Sequence, residues 1–139
     1  MSGGIDSSVC AALLVEQGYD VIGITIKTFN YDDVGGTIEG DKSCCSLDGI
    51  NDARAIAMQF GFPHYVMDFS GVFGRDVIDN FVDEYLHGRT PNPCVICNRK
   101  IKWEELLRKG QQLGADYVAM GHYARLRKDE NTGRYILSR

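Results

Sequence analysis

Apolar residues in this chain switch repeatedly between a strand period and a helix period, which restricts the chain to one class of fold. Val21-Ile22-Gly23-Ile24-Thr25-Ile26 is a short, nearly continuous β-branched run of the kind found in strands buried on both faces. Residues 64–69 and 117–120 are expected to form two further strands. Helices are predicted over 7–17, 48–60, 72–87 and 98–113, the first, second and fourth stopped by Gly18, Gly61 and Gly114. Their predicted core stripes are Val9, Ala12 and Leu13; Ala53, Ile56, Ala57 and Phe60; and Val77, Ile78, Phe81, Val82, Tyr85 and Leu86. Strands separated by helices need right-handed crossovers, hence an α/β fold with a parallel sheet and helices on both faces. Ligands of such sheets bind at the carboxyl ends of the strands, here residues 26–28, Phe69-Ser70 and Met120-Gly121-His122. Residues 125–128 and 134–138 flank Asp129-Glu130-Asn131-Thr132-Gly133 as a hairpin. Residues 28–46 read as a long polar, glycine-rich loop. No strand precedes the first helix, so the fold is expected to lack its first strand.

At 139 residues the chain has the length of one domain. Its formal charge of −4 argues against a generic nucleic-acid coat protein, which binds through a basic surface. The total conceals an asymmetry. Residues 1–84 hold 4 basic and 14 acidic side chains, whereas 85–139 hold 11 basic and 5 acidic ones. The second half is therefore the place to look for an anionic partner. No apolar run reaches the roughly 20 residues of a membrane helix, and residues 1–6 lack the pattern of a signal peptide. With five cysteines and no export signal, a reducing cytoplasmic setting is expected.

Ser2-Gly3-Gly4-Ile5-Asp6-Ser7-Ser8 runs directly into the first helix. Two glycines permit a tight turn and close approach of a ligand, and the N–H groups of a helix start favour an anion. The hydroxyls of Ser2, Ser7 and Ser8 suit phosphate oxygens. Asp6 sits badly beside phosphate unless a Mg²⁺ neutralises it or the loop's own N–H groups occupy it. A plain serine/glycine cap fits these residues as well. The absence of a Gly-Lys-Ser/Thr string rules out the lysine-bearing phosphate loop of kinases and GTPases.

The second signal is Gly88-Arg89-Thr90-Pro91-Asn92-Pro93-Cys94-Val95-Ile96-Cys97-Asn98-Arg99-Lys100-Ile101-Lys102-Trp103. Two prolines are expected to hold the chain extended and to delay the helix until Cys97. Cys97 would then cap the helix, with Arg99 and Lys100 adding positive charge that favours a reactive thiolate. A zinc ribbon would need a second Cys-x-x-Cys pair, and the chain offers adjacent Cys44 and Cys45 instead. A redox pair and inert buried cysteines remain alternatives.

The string Ser-Gly-Gly-x-Asp-Ser-Ser resembles the pyrophosphate loop of the ATP pyrophosphatase superfamily, whose members adenylate an oxygen and release pyrophosphate. Taken with "GYDVIGIT", "CCSLDGINDAR", "GRTPNPCVICNRKIKW" and "GADYVAMGHYAR", it resembles the tRNA-specific 2-thiouridylase family along nearly the whole chain. That resemblance implies an adenine-nucleotide alpha hydrolase-like fold and ATP-dependent thiolation of the wobble uridine U34 of tRNA. In such an enzyme ATP, with Mg²⁺, adenylates the uridine C2 oxygen. A cysteine persulfide, charged by a cysteine desulfurase or sulfur-relay protein, then delivers sulfur and expels AMP. By position, the resemblance makes Cys97 the catalytic nucleophile and Ser2, Gly3, Gly4, Ile5, Asp6, Ser7, Ser8, Ile26 and Gly121 the nucleotide site. It makes Asn92, Pro93, Cys94 and His122 the tRNA contacts.

Some relatives carry aspartate where this chain has Cys94. A Cys94–Cys97 disulfide and a metal-bound resting form stay open there, and an iron–sulfur requirement of the enzyme stays open without an assigned site. Family members begin with a strand before the loop, and continue into a second catalytic cysteine and β-rich tRNA-binding domains. Residues 1–139 are therefore expected to be an N-terminal ATP-binding catalytic domain, cut at both ends and inactive alone in sulfur transfer. The runner-up readings are another ATP pyrophosphatase-type ligase and a Cys-x-x-Cys redox or metal-binding module.

Among the remaining residues, Cys10, Trp103, Phe73 and Phe81 are expected in the core, and His64 and His87 to be ordinary surface or core histidines. Arg99, Lys100, Lys102, Arg108, Lys109, Arg125, Arg127 and Lys128 fit a solvated surface as well as a tRNA-backbone contact.

Overall fold

The computed structural model describes residues 1–29 and 46–138. Most of the predicted long loop, with Cys44 and Cys45, lies outside the described residues.

Two strands form as expected, β1 (Gly23–Lys27) and β2 (His64–Asp68). They pair in parallel, with Gly23 opposite His64 and Lys27 opposite Asp68. Helix α1 (Ile5–Glu16) precedes β1, and α2 (Leu47–Phe60) makes the crossover to β2. Ser46 caps α2 by accepting from the Gly49 N–H at 3.1 Å, and Gly61 ends it at a left-handed φ of 76°.

The alternation of side chains along a strand splits the sheet environment in two. Ile26 and Met67 pack on a cluster of Phe69, Val77 and Ile101. Thr25 points to the other face, where its hydroxyl donates to the Met1 carbonyl at 2.8 Å and lies 2.7 Å from His64 Nε2. Because that one hydroxyl proton goes to Met1, His64 donates from Nε2, and its buried Nδ1 has no hydrogen-bond partner among the described residues. Burial lowers the His64 pKa, and the charge of Arg54 lowers it further. A second cluster joins α1 to α2 through Ala11, Ala57 and Phe62.

The face of α1 differs from expectation. Ala11 is buried, while Val9 and Leu13 are about half exposed and Ile5 is 81% exposed. Positions 9 and 13 lie about 200° around the helix from 11, so the close contact is made by the small residue and the larger ones face outward.

The third expected helix starts at α3 (Ser70–Phe73), passes through a π-helical segment (Gly74–Ile78) and continues as α4 (Asp79–Leu86). The fourth begins earlier than predicted. It comprises α5 (Pro93–Cys97), a π-helical segment (Asn98–Glu105) and α6 (Leu106–Gln112). Val77 and Ile101, both fully buried in one cluster, belong to the two π segments. Phe73 packs on that cluster, and Phe81 stacks edge-to-face on Tyr85 at 4.9 Å. Trp103 is 51% exposed and is no core residue: two positions after the buried Ile101, it lies on the opposite side of the helix.

Residues 117–120 form no strand, although their composition suits one. A strand exists only through its ladder partner, and among the described residues none pairs with this stretch. The hairpin forms as expected, β3 (Arg125–Lys128) antiparallel to β4 (Tyr135–Ser138). No helix is long and apolar enough to cross a membrane.

Candidate functional site

The phosphate-loop candidate is built by backbone packing. Gly3 has φ 76°, and a β-carbon there would lie 2.4 Å from the Gly49 carbonyl oxygen and 3.0 Å from Asp52 Cβ. A β-carbon on Gly49 would in turn lie 2.7 Å from the Ser2 carbonyl oxygen. The starts of α1 and α2 thus meet where neither chain has room for a methyl group. On the other side, a β-carbon on Gly121 would lie 2.6 Å from the Asp6 carbonyl carbon and 2.8 Å from the Ser7 nitrogen. Ser2 to Ser8, the α2 start and Gly121 are therefore brought together, as the ligand-binding end of an α/β sheet requires. A shallow cleft of about 350 Å³ opens beside them, lined by Gly3, Ile5, Ser8 and Val9 and by Asp52, Ala55 and Ile56 of α2.

Gly4 is the N-cap of α1 and supplies no capping side chain. The first-turn N–H groups, which an α-helix leaves without internal partners, thereby meet no capping side chain, an arrangement that suits an anion. The serine hydroxyls point inward rather than outward. Ser7 and Ser8 each donate to the Gly4 carbonyl at 3.0 Å, and Ser7 Oγ accepts from the Ser2 N–H at 3.2 Å. Each hydroxyl has one proton, so a bound phosphate would have to draw it away from Gly4. Among the described residues no loop N–H occupies Asp6. Its Oδ1 accepts from the Tyr123 hydroxyl at 2.7 Å, and the carboxylate holds that phenol above its usual pKa.

Ile26 lies within β1, one residue before its end, on the Phe69–Val77–Ile101 cluster. Cys97 and Ile96 pack on that same cluster. The structure thus brings Cys97 and Ile26 to one shared core at the carboxyl end of the sheet. Asp68 closes β2 there, its carboxyl held below the usual range chiefly by hydrogen bonds from the Ser70 hydroxyl (2.6 Å) and N–H (2.8 Å), with Lys27 nearby at 3.6 Å.

Cys97 does not cap its helix. Asn92 is the N-cap, its Oδ1 accepting from the Val95 N–H at 3.3 Å, and Pro93 occupies the first helical position. Proline suits that position because its missing N–H would be unpartnered there in any case. Cys94 therefore lies in the first turn, exposed, and Cys97 one turn further in, half-buried. The cations expected near Cys97 are engaged elsewhere: Lys100 and Arg99 both pair with Glu104, at 2.9 and 3.5 Å. Pro93 is half-buried and Asn92 exposed, as is His122, which follows Gly121 directly. Cys10 is half-buried in α1.

Charge on the second half is unevenly spent. Arg108 pairs with Glu105, and Arg89 makes a two-pronged contact with Glu84 at 2.6 and 2.7 Å. On β3, by contrast, Arg125, Arg127 and Lys128 are exposed and in no ion pair among the described residues. Three residues that sequence reasoning did not assign to the site belong beside it: Gly49, Asp52 and Tyr123. Gly49 and Asp52 fall within the quoted string 44–54, and a glycine in a first helical turn was the signal of a close approach.

The arrangement has counterparts among known proteins. The family model described as tRNA methyl transferase HUP domain matches residues 1–139. The chain is 54% identical to the tRNA-specific 2-thiouridylase MnmA of Salinibacter ruber, and 55% identical to those of Clostridioides difficile and Cytophaga hutchinsonii. Each match covers the whole of this chain but only 36%, 38% and 37% of the respective relative. Matched along its full length, and with the α/β architecture that such a domain implies, the chain belongs to the tRNA methyl transferase HUP domain family.

Proposed function

We propose that residues 1–139 are the ATP-binding catalytic domain of a tRNA-uridine 2-sulfurtransferase acting on U34. The observation that carries this reading is the convergence of Gly3, Gly49 and Gly121 on the uncapped first turn of α1. Three backbones packed without room for a β-carbon make a rigid cradle of N–H groups for a pyrophosphate. The family description speaks of methyl transfer, whereas the relatives are named thiouridylases. The cradle favours the second chemistry, because methyl transfer from a sulfonium donor leaves no pyrophosphate to hold.

In this reading the first turn of α1 binds the pyrophosphate of ATP, and the Ser7 and Ser8 hydroxyls turn from Gly4 to its oxygens. Mg²⁺ needs only one or two carboxylates beside phosphate oxygens, and Asp6 is placed to supply one. The ion would neutralise charge on the leaving pyrophosphate. The uridine C2 oxygen attacks the α-phosphate and pyrophosphate departs. The terminal sulfur of a Cys97 persulfide then attacks C2, and AMP leaves. A second thiol attacks Cys97 Sγ, breaking the S–S bond and leaving 2-thiouridine and a disulfide.

The second thiol belongs to the downstream cysteine that the family resemblance implies; Cys94, one turn from Cys97, is close enough to pair with it in a resting disulfide. An iron–sulfur cluster takes about four thiolates, and among the described residues this turn offers two. Asn92, Pro93, Cys94 and His122 are the residues proposed to meet tRNA, with Arg125, Arg127 and Lys128 on its backbone. The persulfide donor is an external sulfur carrier, and a reducing cytoplasm suits the thiol chemistry.

The test is ATP-dependent thiolation of tRNA by the full-length protein, read by mass spectrometry of the nucleosides. Cys97→Ser is expected to abolish 2-thiouridine while an adenylated tRNA still forms. Retained thiolation in Cys97→Ser would sink the mechanism.

A further inference from the structure

Tyr123 makes a contact that binding a nucleotide does not itself require. It follows His122 directly, is 81% exposed, and still donates to Asp6 Oδ1 at 2.7 Å across 117 positions of sequence. The same segment makes its tightest backbone approach to α1 at Gly121, against Asp6 and Ser7. A steric contact and a charge-assisted hydrogen bond thus fix residues 121–123 to the first turn of α1. A side chain so exposed has little burial to orient it, so the bond to the carboxylate sets its position.

We propose that Tyr123 is a positioning residue that latches the His122 segment to the phosphate loop through Asp6, coupling the binding of ATP to the binding of tRNA. The latch rests on the ATP and tRNA reading given above. Phosphate and cation arriving at the α1 start act on the Asp6 carboxylate, and any shift of that group is passed through the Tyr123 hydroxyl to its neighbour His122. Such coupling is reciprocal. Loss of the hydroxyl therefore reduces the effect of each ligand on the other while leaving the cradle N–H groups and the His122 side chain in place.

The experiment uses the full-length protein and unmodified substrate tRNA. ATP affinity is measured by calorimetry with and without saturating tRNA, in wild type and in Tyr123→Phe. In wild type tRNA is expected to change the ATP affinity by about fivefold or more, and in Tyr123→Phe that ratio falls towards one with an unchanged unfolding midpoint. Asp6→Asn, whose amide oxygen still accepts from the phenol, should keep more of the ratio than Tyr123→Phe even though it binds ATP less tightly. Asp6→Ala should lose it. A wild-type ratio retained in Tyr123→Phe or Asp6→Ala overturns the latch and leaves the ATP and tRNA reading standing. A wild type that binds both ligands independently does the same. A wild type that binds no ATP overturns the functional reading and the latch together.

Discussion

Cys94 and Cys97 lie one helical turn apart with unequal access to solvent: Cys94 is exposed, and Cys97 is half-buried against the cluster of Phe69, Val77 and Ile101. In the reduced, ligand-free protein this difference sets an order of alkylation. Iodoacetamide should modify Cys94 before Cys97, with the two sites separated by peptide mass spectrometry over a time course. Cys97 labelling first would show that its thiolate character outweighs its burial.

Gly3 and Gly61 share a left-handed φ of 76° but differ in their surroundings. Alanine at Gly61 meets nothing within 4 Å and should cost about 1–2 kcal/mol, the backbone penalty alone. Alanine at Gly3 adds a collision with the Gly49 carbonyl, raising the total by roughly a further 1–3 kcal/mol. Urea unfolding of the two variants measures the difference. Equal losses would mean that the α1–α2 contact yields without cost.

Asn92 caps α5 with its side chain. Asn92→Ala should lower stability by about 1 kcal/mol, whereas Asn92→Ser keeps a capping oxygen and most of the stability. If Asn92 also touches tRNA, tRNA affinity should fall in both variants. Thermal unfolding and tRNA binding, read side by side, separate the two roles.

His64 gives the pH prediction. Burial favours its neutral form, so its folded pKa lies below the unfolded value near 6.5. Below that value the unfolded chain binds the extra proton and the folded one resists it. The His64 contribution is therefore intact above about pH 6.5 and is lost as the pH falls towards the folded pKa. His64→Gln should flatten the curve of unfolding free energy against pH between about 7 and 5. An unchanged slope would assign the acid sensitivity to other groups.

Much of this was legible in the sequence because it is local. The helix stops at Gly18 and Gly61, the strand runs at 23–27 and 64–68, and the hairpin around Asp129–Gly133 all follow from neighbouring residues. Residues 117–120 misled because a strand is a relation between two segments, and composition describes only one. Cys97 lies inside its helix rather than at the cap because proline after an asparagine cap is a sound helix start, and the two prolines therefore do not bar the helix. On α1 the bulky Val9 and Leu13 outranked Ala11 by hydrophobicity, yet close helix packing selects the small residue. The contacts of Gly3 with Gly49 and of Tyr123 with Asp6 join distant positions, and no periodicity announces them.

The Gly3–Gly49 contact has a mechanical consequence. Side chains that separate two helices act as springs, since rotamers and neighbours adjust when the gap is squeezed. Here backbone rests on backbone, and the gap is a hard stop. The spacing between the two helix starts is then set by covalent geometry, and repacking of the surrounding apolar residues would leave it unchanged. The sheet and its helices can therefore drift in sequence while the gap between the starts of α1 and α2 keeps its gauge.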